Sequence, residues 1–131
     1  MLFNGFERCL YNEQKFDSDT ERRFAVILER DAIKWFKPVI GQFQIVYKDG
    51  VDQKEYQPDF VAEDKTTIYM VETKARNDLN DPVVIAKAES ATEWCKNATN
   101  YSTSVDGKPW TYLLVPHDEI TENRELKNFG K

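Results

Sequence analysis

Residues 56–62, Tyr-Gln-Pro-Asp-Phe-Val-Ala, and residues 66–74, Thr-Thr-Ile-Tyr-Met-Val-Glu-Thr-Lys, are two strand-like runs separated only by the polar Glu63-Asp64-Lys65. A link that short predicts an antiparallel hairpin. Side chains alternate along a strand, so Ile68, Met70, Glu72 and Lys74 share one face. Glu72 and Lys74 then lie side by side, roughly 7 Å apart at ~3.4 Å per residue. If Ala62 pairs with Thr67, Asp59 falls opposite Met70 and diagonal to Glu72, on the same face. Two carboxylates and an amine thus converge at one end of an apolar hairpin.

That convergence is costly for a core. Ile68-Tyr69-Met70-Val71 is apolar on both faces, as a central strand is. A charge beside such a run must be paired or bind a metal. Two oxygen ligands on rigid strands suit Mg2+, which keeps waters and shares phosphate oxygens. Such an ion activates water and stabilises charge on phosphate. The lysine can orient the attacking water or stabilise the pentacovalent phosphate. Glu-x-Lys alone is ordinary on a solvated strand face. Its weight comes from Pro58-Asp59 on the preceding strand and from the flanking elements.

Upstream of this hairpin, Ser18 and Glu21 fit a capping box, and Phe24, Ala25, Leu28 and Ala32 recur at helical spacing. They predict an amphipathic helix over about 18–35, stopped before Pro38. Residues 43–48 alternate as a first strand, closed by the turn pair Asp49-Gly50. Asp81 as N-cap and Pro82 at the first helical position open a second helix over about 82–97. Its apolar stripe is Val84, Ala88, Ala91 and Cys95. Asp106-Gly107 marks a turn, and residues 110–115 read as a buried fourth strand. The aromatic-rich lead-in (Phe3, Phe6, Tyr11) reads as irregular or a short strand. The charged tail from Pro116 reads as a loop or a frayed helix. The expected fold is α/β, a central mixed four-stranded sheet flanked by helices in the order helix, three strands, helix, strand.

The chain has 131 residues, 40% hydrophobic and 13% aromatic, which suits a single domain over 1–131 with its own core. Cys9 and Cys95 show no metal-type spacing and read as free thiols of a reducing compartment. No signal pattern and no apolar run of ~18 residues occurs, so a cytoplasmic location without a membrane is expected. The net charge of −5 argues against a free-standing DNA binder. A metal site itself adds carboxylates, and net charge says little about one cleft.

The Pro58-Asp59 and Glu72-Thr73-Lys74 pair resembles the signature of the PD-(D/E)xK nuclease superfamily, whose restriction-endonuclease-like core has the element order inferred above. More narrowly, residues 56–61 and 69–74, with Ala88-Glu89 and Trp94-Cys95, resemble the C-terminal endonuclease domain of the Res subunit of type III restriction enzymes. The likeness spans about residues 16–116. It implies a site-specific, Mg2+-dependent endonuclease acting on double-stranded DNA, with Mn2+ able to substitute. Asp59 and Glu72 would bind the metal, the Thr73 carbonyl would complete its shell, and Lys74 would assist the attack. Glu21, on the inward face of the first helix, is a further candidate ligand. Lys87 and Arg76 are candidates for contact with the DNA backbone. His117 follows the last strand in a charged loop and reads as neither ligand nor base. Trp35, Trp94 and Trp110 read as core.

The chain has no phosphate-binding Gly-x-x-x-x-Gly-Lys-Ser/Thr loop. Type III restriction subunits couple cleavage to an ATP-driven helicase motor. The resemblance therefore implies a C-terminal piece of a larger protein, with motor and ATP site outside this chain and a DNA-modification (methyltransferase) subunit as partner. Alternatives are a nuclease of another repair or phage-defence system, and a catalytically inactive interaction module of the same fold.

Overall fold

A computed structural model describes residues 2–10, 13–16, 18–39 and 43–129. Two short strands, β1 (Leu2–Asn4) and β2 (Glu13–Lys15), pair antiparallel in the lead-in. Tyr11, counted in that lead-in, lies outside the described residues. Helix α1 (Asp19–Asp31) follows, with Ser18 as N-cap accepting the Glu21 amide at 3.1 Å.

The helix is shorter than its periodicity suggested. It ends at Asp31, and β3 (Lys34–Phe36) begins three residues later. Aromatic residues fit a pleated, half-buried surface, and tertiary pairing settles the matter here. Trp35, 1% exposed, exchanges backbone bonds with Arg8 and Leu10 on one side, and β3 pairs with β6 on the other. Its indole donates to Glu29 at 2.8 Å.

This changes the make-up of the sheet. Residues 43–48 were expected as one of its strands. Instead β4 (Ile45–Asp49) and β5 (Asp52–Tyr56) form a separate hairpin, with Gly50 at φ 67° in the turn. The run 56–62 is broken because Pro58 lacks an amide for the ladder. Tyr56 ends β5, and Phe60 opens β6 (Phe60–Glu63). The sheet keeps four strands, in the order β3-β6-β7-β8, where β7 is Ile68–Lys74 and β8 is Trp110–Pro116. β7 pairs antiparallel with β6 and parallel with β8, so the sheet is mixed, as expected.

The hairpin register also differs from expectation. Ala62 pairs with Tyr69, not Thr67. The cause is Asp64, whose Oδ1 accepts the amides of Thr66 and Thr67 at 2.9 and 2.8 Å. This turn consumes residues 64–67 and leaves Glu63 to pair with Ile68.

Helix α2 (Pro82–Ser104) makes the crossover that a parallel pair requires. Asp81 caps it through the Val83 amide at 2.8 Å. It runs beyond Asn97, where the apolar stripe stops. Its last turns are fixed by Thr99, whose hydroxyl accepts the Trp110 amide at 2.8 Å and donates to the Trp110 carbonyl at 3.1 Å. Asp106 at φ 62° turns the chain back, as Asp106-Gly107 suggested. The tail is ordered by Ile120, Leu126 and Phe129, each at most 3% exposed.

The sheet carries a core on each face. α1 and the tail bury Tyr69 and Val71 of β7 together with Trp35 and Phe60. α2 and the β4–β5 hairpin bury Met70 with Ile45, Tyr47, Tyr56, Ala91 and Cys95. Cys9 and Cys95 are not joined to each other in a disulfide. Among the described residues, no helix is long and apolar enough to cross a membrane.

Candidate active site

Strand β7 is the centre of the sheet, and its chemistry lies at its C-terminal end. Met70 and Val71 are fully buried, Glu72 is 5% exposed and Thr73 6%. The last pair of the β6–β7 ladder is Phe60 with Val71. Continued one step, that register sets Asp59, which precedes β6, opposite Glu72 and not opposite Met70.

The loop at Pro58 gives Asp59 a second anchor. The Thr73 amide donates to Asp59 Oδ2 at 2.8 Å, and the Thr73 hydroxyl to the same oxygen at 3.3 Å. In an antiparallel ladder the amide and carbonyl of one residue point the same way. The Thr73 carbonyl therefore faces the Asp59 side of β7. Asp59 Oδ1 receives no donor among the described residues.

Glu72 is held against its own charge. Burial, followed by the neighbouring Asp59, pushes its carboxyl up to about 8, and Lys74 and Lys87 only partly oppose this. Its Oε1 is buried and has no hydrogen-bond partner among the described residues. A buried polar atom without a partner costs about 1–3 kcal/mol, so proteins rarely leave one without a reason.

The surroundings are aromatic and basic. Burial raises the phenols of Tyr56 and Tyr112, and the charges of Glu72 and Asp59 act in the same direction. Lys74 closes β7 with its ammonium in no hydrogen bond or ion pair among the described residues. Glu21 points inward from α1, 7% exposed, as its place on the apolar face implied. Its carboxylate is ion-paired to Lys37 at 3.0 Å, and its charge also reaches Glu72. The capping bond and the inward orientation therefore coexist. Arg76 lies beyond the strand and binds Asp118 and Glu119 at 2.7 and 2.9 Å.

The structure thus brings Asp59, Glu72, Thr73 and Lys74 together, with Lys87 and Glu21 in electrostatic reach of Glu72. Arg76 faces the tail carboxylates. Sequence reasoning missed Lys37, Tyr47 and Tyr112. Lys37 is sixteen residues from Glu21, with no local signal to join them. Tyr112 sits in the ladder opposite Met70, on the face that carries Glu72, which a parallel β7–β8 register would have shown.

Among the described residues, no group of three Asp, Glu, His or Cys side chains is placed to hold a metal ion. The donor set is two carboxylates and one main-chain carbonyl. A hard divalent cation completed by waters and phosphate oxygens fits such a set. The Glu72 Oε1 atom, buried and without a donor among the described residues, is the observation that supports the fit.

A family model described as an endonuclease domain matches residues 7–106 of the chain. The matched span contains both carboxylates, Thr73, Lys74 and Lys87. No curated protein and no solved structure matches the chain.

Proposed function

We propose that this chain, which belongs to the endonuclease-domain family, hydrolyses DNA phosphodiester bonds with a divalent metal ion at Asp59 and Glu72. The fold is restriction-endonuclease-like and the domain a nuclease. The finer reading is a PD-(D/E)xK active site of the type III restriction kind. One observation carries it: Glu72 is buried with an oxygen that has no donor among the described residues, and the charge of Asp59 acts on it.

Asp59 Oδ1, Glu72 Oε1 and the Thr73 carbonyl would hold Mg2+, or Mn2+ in its place. When bound, the ion would supply charge against the phosphate oxygens and lower the pKa of water. Thr73 fixes Asp59 by two bonds to Oδ2, which leaves Oδ1 aimed by a rigid strand. Lys74 lies beyond the carboxylates with its ammonium in no hydrogen bond or ion pair among the described residues, suited to orienting water or stabilising charge on phosphorus. Lys87 supplies a second cation for the DNA backbone. Glu21 adds negative charge from α1 and would join through water, since its carboxylate is engaged by Lys37. Arg76 would have to exchange Asp118 and Glu119 for a phosphate before touching DNA.

An acidic chain binds DNA weakly on its own. In the type III setting, affinity for double-stranded DNA comes from a helicase motor elsewhere in the parent protein, which also consumes the ATP. A methyltransferase subunit shares the site choice, and the setting is cytoplasmic.

Incubation of supercoiled plasmid with the chain in Mg2+, Mn2+ or EDTA tests the proposal. Nicking in metal that stops in EDTA supports it. Absence of both nicking and Mn2+ binding by calorimetry would refute it.

A further inference from the structure

Lys87 lies in α2, and its Nζ sits 5.2 Å from the ring centroid of Tyr56 and 5.4 Å from that of Tyr47. Both distances are within reach of cation–π attraction. The two rings meet edge to face, 5.7 Å apart at 75°. They are 9% and 7% exposed. The Tyr56 hydroxyl donates to the Lys87 carbonyl at 3.2 Å. The same tyrosine therefore grips both the backbone and the ammonium of Lys87.

The choice of partner matters. A carboxylate would fix the ammonium but cancel its charge. Two π faces restrain it and leave its charge and N–H donors for an anion. Among the described residues, no carboxylate lies within ion-pair distance of Lys87. The two tyrosines beneath it pack in one cluster with Met70, whose side of β7 also carries Glu72, so the ammonium lies on the carboxylates' side of the sheet.

We propose that Tyr47 and Tyr56 of the β4–β5 hairpin are positioning residues that hold the Lys87 ammonium for a DNA phosphate beside the one cleaved. The proposal rests on the nuclease reading above. It gives the hairpin, which stands outside the main sheet, a part in substrate binding.

A double-mutant cycle on binding of a short DNA duplex in Ca2+ tests it. Lys87→Met should weaken binding about fivefold and lower the salt slope by about 1. Tyr47→Leu or Tyr56→Leu should weaken it by a similar factor, and neither should add to Lys87→Met. Tyr47→Phe, which keeps the ring and removes no bond to Lys87, should preserve affinity. Additive losses, or none from the leucine variants, would overturn the proposal. If a leucine variant fails to fold, the unaltered chain decides. The Lys87 ε-methylene protons should resonate upfield over the rings and shift when duplex is added, and ordinary, unmoved resonances would overturn it. A chain that binds and shows the cycle without nicking removes the cleavage reading alone. Nicking and binding unchanged by Lys87→Met remove the cage alone, and a chain that does neither removes both.

Discussion

The Thr73 amide donates to Asp59 Oδ2 at 2.8 Å, so the residue between Glu72 and Lys74 fixes the carboxylate opposite them. This bond ties the loop at Pro58 to the central strand. It also makes one oxygen of Asp59 structural and leaves the other for a ligand.

Asp59→Asn separates these roles. An amide oxygen can still accept from Thr73, and the charge facing Glu72 disappears. The variant should lose metal binding, and its metal-free form should be more stable by about 1 kcal/mol, or a few degrees in Tm. Differential scanning calorimetry without metal measures this. A lower Tm would mean that Asp59 supports the fold through its charge.

Glu72 sets a pH dependence. Its carboxyl rises from 4.5 to about 8 on folding, so between these values the folded chain holds a proton that the unfolded chain releases. Metal-free stability should be greatest below pH 4.5 as far as this group is concerned, and should be lost as pH rises toward 8. The loss should be of order a few kcal/mol. Urea unfolding at pH 5, 6.5 and 8 reads it, and Glu72→Gln should flatten the profile. A parent profile already flat would show that Glu72 is ionised at no cost.

Lys74→Ala should abolish cleavage while Mn2+ still binds, because the ammonium holds no partner among the described residues and supplies no metal ligand. Calorimetry beside a nicking assay separates the two. Lost metal affinity would instead make Lys74 a structural partner of the carboxylates.

Glu29 is a contrasting case. It accepts the Glu7 and Arg8 amides at 2.6 and 3.0 Å and the Trp35 indole at 2.8 Å, clamping the lead-in and β3 to α1. Glu29→Ala should cost about 2–3 kcal/mol in urea unfolding and leave the nicking rate per folded molecule unchanged. A large drop in rate would extend the site to this end of the sheet.

The candidate site was legible because its residues lie on one strand and just before its neighbour, where alternation alone puts Glu72 and Lys74 on one face and Pro58 marks the break before Asp59. What was misread depended on tertiary contacts. Residues 32–35 continue a helical period, yet Trp35 is claimed by the sheet through Arg8, Leu10 and β6. Ala62 was paired two residues off because the Asx turn at Asp64 lengthens the loop. The last turns of α2 carry no apolar stripe and are held by Thr99 and Trp110 across eleven residues. The tyrosine pair beneath Lys87 needs β4–β5 folded onto α2, which no local pattern announces.

Plasmid nicking by the chain, Asp59→Asn and Lys74→Ala, side by side in Mg2+, decides whether Asp59, Glu72 and Lys74 form the active site. The parent chain should nick plasmid in a reaction that EDTA stops, and both variants should lose it while remaining folded. Undiminished nicking by Asp59→Asn would contradict that assignment, and would place the active site elsewhere on the domain.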